Sequence, residues 1–426
     1  MNGASQPRFI ALDGLRGLAV LLVILYHGIT VSSGTVHDGL YRAATFGWVG
    51  VDLFFVLSGF LITGILCDTR HDRNYFGNFF IRRALRIFPL YYVALLALLL
   101  CLPLVNPQAG DDLWRHQAWY WAYLVNIFES LHPFAPSVTR TGHFWSLAVE
   151  EQFYLFWPFV VLLLKPRQLR WICLGAIAAA PLLRAVLLFR LALDPMWVYT
   201  FLPARVDALM VGALLAIAAR DADTMALVGR WLARLAGGSL VVVGTIAFRD
   251  RSFVFHTRSV QLLGYSAICV LGGAMVAGLT WSSQTWWLKR ACETRVLRWF
   301  GRYSYAGYVI HFPLMYLLLG RWVRIFGPTR LALSSVTGRM VFTCVSLCAS
   351  SGLAYASWFG IEQPFLRMKR FFDYRDGSLR FGRAGANEQA TSRPLAAGGA
   401  LGLAGLGEST IGESPDRATH ERRGPE

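Results

Sequence analysis

The sequence is short of charge. Only 15% of its 426 residues are Asp, Glu, Lys or Arg, against about 25% in soluble chains. That deficit excludes a large soluble core as the body of the protein. Seven cysteines (Cys67, Cys101, Cys173, Cys269, Cys292, Cys344, Cys348) are scattered, mostly through apolar runs, with no Cys-x-x-Cys pair and no His/Cys cluster. Neither a disulfide framework nor a metal site is expected. A Gly-x4-Gly-Lys-Ser/Thr phosphate loop is missing, and no internal repeat or second soluble domain can be traced. Net charge is +16, yet the basic residues punctuate apolar runs and build no single face. Nucleic acid is therefore not an expected partner.

Apolar residues are abundant: 55% hydrophobic, 14% aromatic, mean hydropathy +0.45. The runs predict an all-α, polytopic integral membrane helical bundle of about ten transmembrane helices. They lie at about Ile10–Val31, Phe46–Cys67, Ile87–Leu104, Phe144–Leu164, Trp171–Leu191, Phe201–Ala219, Leu235–Phe248, Gln261–Trp281, Tyr303–Leu319 and Met340–Phe359. No small-residue cleavage site follows the first run, so it reads as a retained span. The long connection Val105–Gly142 is rich in Trp and Tyr over Trp114–Phe128, which suits a segment lying at the interface or re-entering. Residues 371–426 turn to Gly, Ala, Arg and Glu and read as a disordered cytoplasmic tail.

The Lys/Arg bias places both termini in the cytoplasm. Arg70, Arg73, Arg82, Arg83, Arg86, Lys165, Arg167, Arg170, Lys289, Arg290, Arg295 and Arg298 then fall inside. Arg249, Arg251, Arg258, Arg321, Arg324 and Arg330 fall outside and blur the pattern.

Ionisable residues within the spans carry the functional signal, since each costs several kcal/mol, roughly 2.5–3.5 for an Arg at a helix centre. The first span keeps Arg16 and His27. Eleven residues apart, they share a helix face at about 16 Å. One end of that face suits an anionic donor and the other suits proton chemistry. Alternating span directions bring Asp52, Glu150, Glu151, Arg205, Asp207 and His311 to roughly the level of His27, as if around one polar cavity. Ser146, Glu150 and Tyr154 follow at i, i+4 and i+8 on one face; Glu151 points elsewhere. Arg83 and Arg86, at i and i+3, can hold phosphate bidentately. Asp52 is read either as catalytic or as a structural partner of Arg205. Gly50, Gly59 and Gly64 read as sites of close helix packing.

These motifs resemble the integral-membrane acyltransferase-3 family. The resemblance rests on Arg16-x10-His27, on Gly50-Val51-Asp52-Leu53-Phe54-Phe55-Val56-Leu57-Ser58-Gly59-Phe60, on Arg83-x2-Arg86, and on Ser146-Leu147-Ala148-Val149-Glu150-Glu151-Gln152-Phe153-Tyr154. Tyr303-Ser304-Tyr305 with His311, and Glu362-Gln363-Pro364, extend it over residues 8–367. It implies a transmembrane acyltransferase domain over residues 1–370, without the fused esterase-like domain of some members. It also implies transfer of an acyl group, by default acetyl, from cytoplasmic acyl-CoA (acetyl-CoA) to a hydroxyl of an extracytoplasmic carbohydrate or glycolipid, by a multi-pass protein of the inner membrane.

On this reading His27, Glu150 and Asp52 are the catalytic candidates. Arg16, Arg83 and Arg86 take the donor, and Ser146, Tyr154, Arg205 and His311 face the acceptor. No metal is expected, and the partners are acyl-CoA, the saccharide and membrane lipids. A neutral His at physiological pH suits removal of the hydroxyl proton, with Glu150 or Asp52 orienting the ring or the sugar. His27 could instead carry the acyl group transiently. A transporter or flippase of a glycan or lipid-linked substrate is the rival class.

Overall fold

The computed structural model describes residues 10–33, 38–133, 135, 138–281 and 287–372. Ten helical segments among them are long and apolar enough to cross a membrane, matching the expected number. They are Ile10–Ser33, Gly39–Asp68, Tyr75–Val105, Phe144–Leu163, Pro166–Arg190, Pro195–Ala218, Ala222–Asp250, Val260–Trp281, Ser304–Phe326 and Val336–Phe371, and are numbered below as spans 1 to 10. No strand occurs among the described residues. The tail read as disordered lies outside them from residue 373, as does Arg8.

Spans 2 and 6 form the centre, because most of their residues are buried. Small residues let their backbones meet. A methyl group on Gly59 would collide with the Leu209 carbonyl, and one on Gly212 with the Val56 carbonyl. Close approach of this kind replaces the hydrophobic drive that lipid cannot supply. The same device joins the start of span 1 to the helix Arg295–Arg302: Gly17 abuts the Leu297 carbonyl, and Gly301 the Asp13 carbonyl. Spans 3 and 7 turn large apolar residues outward, among them Leu100, Leu104, Val241 and Phe248, as lipid-facing helices do.

Two helices begin earlier than hydropathy indicates. Span 3 starts at Tyr75, twelve residues before Ile87, so Arg82, Arg83 and Arg86 belong to its first turns. Span 7 starts at Ala222, and the connection read as polar is helical. In both, charged and polar residues interrupt the apolar ones in the first turns, and an apolar window discards those turns although their backbone bonding is the same.

The aromatic connection folds back on the bundle. Asn106 caps the helix Pro107–Trp121 by accepting from the Ala109 amide, with Pro107 in the first turn, where a missing N–H costs nothing. Gly110 fits against Pro103, and the Trp114 indole donates to the Leu99 carbonyl at 2.8 Å. The short helix Val125–Leu131 is then held to its neighbours by a polar cluster. Asn126 Nδ2 donates to the Thr200 carbonyl at 3.2 Å, Gln152 Nε2 to Asn126 Oδ1 at 2.8 Å, and Ser130 and Thr200 share a hydroxyl bond of 2.6 Å. That clamp fixes the direction of Glu129.

Candidate active site

Span 1 supplies residues to two cavities. The first is lined by Arg16, Arg83, Arg86, Glu150 and Tyr154, with Ser58, Ser146, Glu151 and Tyr308 among its other walls. The structure thus brings together the three arginines expected to take a donor and the whole Ser146–Glu150–Tyr154 stripe. Ser58, which the sequence reading quoted only within the Gly50–Phe60 motif and gave no role, organises this wall. Its hydroxyl donates to Glu150 Oε1 at 2.6 Å and lies 2.9 Å from the Tyr154 hydroxyl. Glu151, expected to point elsewhere, lines the same cavity. A four-residue repeat drifts round a helix, so a wide cavity meets both neighbours on span 4. The last described turns, Gln363–Phe372, run beside the start of span 3, where Arg82 donates to the carbonyls of Lys369 (3.2 Å) and Phe372 (3.0 Å).

The second cavity, about 320 Å³, is lined by His27 together with Glu129, His143, Trp145, Tyr199 and Phe312, among others. Val51 and Tyr308 line both cavities. Tyr308 is held there by its hydroxyl, 2.5 Å from Ser146 Oγ and 3.0 Å from the His143 carbonyl. Of the polar residues expected around one cavity, Glu150 and Glu151 line the first, His27 lines the second, and Asp52, Arg205, Asp207 and His311 line neither.

His27 Nδ1 lies 3.0 Å from His311 Nε2. Protons on this pair follow from the backbone. His311 Nδ1 is 2.7 Å from the Tyr308 carbonyl, which can only accept, so Nδ1 carries the hydrogen. His311 Nε2 is then a lone pair, and His27 Nδ1 must donate to it. What remains on His27 is an Nε2 lone pair, the form a general base needs. His311 is fully buried. Read from sequence as acceptor-facing, it lines neither cavity and meets the His27 ring instead.

His143 obeys similar logic. Pro313 lies inside span 9 and has no N–H for the carbonyl four residues back. That carbonyl belongs to Val309, and His143 Nε2 donates to it at 3.1 Å. His143 Nδ1 is thus an acceptor, buried and without a partner among the described residues. Sequence reading passed over His143 because it stands one residue before the apolar run of span 4. It passed over Glu129 because that residue lies in a connection.

Asp52 and Arg205 line neither cavity. They form a buried ion pair at 2.5 Å, each about 1% exposed. The Arg205 guanidinium sits 3.8 Å from the Tyr265 ring centre, with Trp48, Trp145 and Tyr199 also around it. Asp52, read either as catalytic or as a structural partner of Arg205, is thus found paired with Arg205 inside the bundle, and Arg205, read as acceptor-facing, does not line the His27 cavity. Arg184 and Asp207 form a second such pair at 2.9 Å. No group of three or more His, Cys, Asp or Glu residues able to hold a metal occurs among the described residues.

A multi-pass helical bundle with an arginine-lined cavity and a histidine-lined cavity meeting along one helix is the class this geometry defines. A family model described as an acyltransferase domain matches residues 9–356, and the chain belongs to that family, acyltransferase 3. It is 31% identical over 331 residues to the peptidoglycan O-acetyltransferase OatA of Listeria monocytogenes, covering 72% of this chain and 49% of that protein. The putative peptidoglycan O-acetyltransferase YrhL of Bacillus subtilis is 30% identical over 374 residues, covering 83% of this chain and 54% of the relative. A putative O-acetyltransferase of Staphylococcus aureus, SACOL0978, is 28% identical over 334 residues, 73% of this chain and 51% of its own length. The chain spans about half the length of these curated relatives. No solved structure matches it.

Proposed function

We propose that this protein is a membrane O-acetyltransferase. It takes an acetyl group from acetyl-CoA at the arginine-lined cavity and passes it to a saccharide hydroxyl at the His27 cavity. The observation that carries the reading is the meeting of two chemically opposite cavities along span 1, with Arg16 on one and His27 on the other. Arg16, Arg83 and Arg86 offer planar, permanently charged donors suited to the phosphates of a nucleotide-like carrier. Glu150, braced by Ser58 and Tyr154, stands among them and limits the site's net positive charge. The acyl thioester reaches the second cavity past Val51 and Tyr308.

At the second cavity the acceptor hydroxyl attacks the thioester carbonyl, and its proton passes to His27 Nε2. Collapse of the tetrahedral intermediate breaks the carbon–sulfur bond, and the imidazolium returns the proton to the departing thiolate. His311 steadies the imidazolium through the bond from His27 Nδ1–H. On this reading the arginine cavity opens at the cytoplasmic face of the inner membrane and the His27 cavity at the other, an orientation that the Lys/Arg bias of the loops supports.

The test is transfer of radiolabelled acetyl groups by the purified protein in liposomes. His27→Ala should lose about 10²–10⁴-fold in turnover while still binding acetyl-CoA. Normal turnover in that variant overturns the reading. Transport of a glycan across the liposome membrane without any acetyl transfer would replace it with the flippase alternative.

A further inference from the structure

The unpaired polar groups on residues that line the second cavity are unusual in their sign. Glu129 is 1% exposed, and neither carboxylate oxygen has a hydrogen-bond partner among the described residues. His143 Nδ1, 3% exposed as a residue, is a second unpartnered acceptor. His27 adds its Nε2 lone pair, and the Thr30 hydroxyl donates its hydrogen to the Tyr26 carbonyl at 2.8 Å. Among the described residues no Lys or Arg lines this cavity, although the Arg140 guanidinium lies 4.2 Å over the ring of Tyr316, one of its lining residues; three Arg line the other cavity.

Leaving a buried carboxylate unpaired costs more than a typical hydrogen bond returns. Burial holds the Glu129 carboxyl well above its ordinary pKa, and a ligand that supplies the missing donors favours its ionised form. Here the ligand must bring hydrogens on several sides: two to the Glu129 oxygens, one to His143 Nδ1 and one to His27 Nε2. A polyhydroxyl ring does so. Trp145 and Tyr199, with ring centres 4.5 Å apart, and Phe312 supply the flat apolar faces that the carbon–hydrogen side of such a ring covers. An acidic sugar would set a second carboxylate against Glu129 with no Lys or Arg among the described residues that line the cavity.

We propose that Glu129 and His143 form the acceptor subsite, and that it selects an uncharged pyranoside, a hexose or N-acetylhexosamine unit, over a uronic acid. Glu129 takes a pair of hydroxyl or amide hydrogens from the ring and His143 takes a third. Together they turn the remaining hydroxyl toward His27 Nε2. Glu129 is a specificity determinant here, not the base. The inference rests on the acetyl-transfer reading for what happens next, but recognition of the sugar is measurable without it.

Two probes of equal length separate the cases: chitotetraose, which is uncharged, and tetragalacturonate, which is acidic. Binding of each to the full protein in detergent is read by saturation-transfer NMR, and acetyl transfer to each is read by mass spectrometry. Acetyl-CoA binding in each variant checks that the bundle is intact. The wild type should favour chitotetraose at least tenfold. Glu129→Gln removes the charge at constant shape and should shrink that ratio several-fold by admitting tetragalacturonate. Glu129→Ala, and His143→Phe as a second variant, should weaken chitotetraose binding about tenfold.

An unchanged ratio in Glu129→Gln, or equal binding of both probes by the wild type, overturns the proposal. So does failure of the wild type to bind either probe. If the ratio depends on Glu129 but no acetyl group moves, the subsite stands and the enzymatic reading falls. If acetyl transfer proceeds with a preference indifferent to Glu129, the reverse holds.

Discussion

His27 Nδ1 and His311 Nε2 lie 3.0 Å apart, and the Tyr308 carbonyl decides which of the two carries the proton between them. A backbone group on span 9 therefore sets the tautomer of a side chain on span 1. Replacing His311 by Ala leaves His27 free to turn and to exchange tautomers. Turnover should fall about tenfold or more, with KM for acetyl-CoA unchanged, since His311 lines neither cavity. Added imidazole should restore part of the rate by filling the vacated site. A purely structural role would raise KM and lower stability, and imidazole would not help.

Tyr308 stands where the two cavities meet. Tyr308→Ala removes the ring and joins them, giving water a route to the thioester. Acetyl-CoA hydrolysis without a saccharide should rise relative to transfer. Tyr308→Phe keeps the ring and loses only the bonds to Ser146 and to the His143 carbonyl. Its ratio of hydrolysis to transfer should stay near that of the wild type. The measurement is release of free CoA with and without acceptor.

Arg83 and Arg86 line one cavity with Arg16, the cavity that the proposed reaction gives to the donor. A hydrogen bond to a charged group contributes about 1.5–3 kcal/mol, so Arg83→Ala should raise KM for acetyl-CoA about 10–100-fold. Arg83→Lys retains charge but loses the planar fork and should recover only part of that. The acceptor KM should not move in either variant. An equal rise in both constants would mean that the arginine supports the fold and does not hold the donor.

The ion pair of Asp52 with Arg205 yields a stability prediction. Asp52→Ala leaves a guanidinium buried and uncompensated, which costs about 3–5 kcal/mol. The double variant Asp52→Leu with Arg205→Met removes both charges and should regain much of the loss. Thermal unfolding in detergent reads the difference. If Asp52→Ala unfolds like the wild type but is inactive, Asp52 acts in catalysis after all.

Ten spans were legible because long apolar runs in a charge-poor chain admit few other structures. The arginine cavity was legible in part: helical spacing put Arg83 with Arg86, and Ser146 with Glu150 and Tyr154, on shared faces, but Ser146 and Tyr154 were read as facing the acceptor and Glu150 as acting beside His27, and all three line the cavity of Arg16, Arg83 and Arg86. Spacing does not report how a helix is rotated against its neighbours. That is why His311 was set toward the acceptor when it touches His27, and why one cavity was expected where two exist. Glu129 and His143 sit outside the apolar windows, in a connection whose fold depends on the Asn126, Gln152 and Thr200 clamp. Only tertiary contacts disclose residues of that kind.

The glycine contacts distinguish packing from flexibility. Gly17 sits where a methyl group would strike the Leu297 carbonyl of the helix Arg295–Arg302, and neither backbone can yield without moving the start of span 1. Gly17→Ala should destabilise the protein by about 1–3 kcal/mol, the usual cost of overpacking. Because Arg16 is the adjacent residue, the shift should also weaken acetyl-CoA binding. Gly175 provides the contrast: it lies within span 5 with nothing within 4 Å of an added methyl. Gly175→Ala should be neutral or slightly stabilising, since Ala is the better helix former. Unfolding temperature and acetyl-CoA affinity, measured on both variants, decide the matter. Equal behaviour would mean that span 1 and the helix Arg295–Arg302 do not depend on this contact to hold Arg16 at the donor cavity.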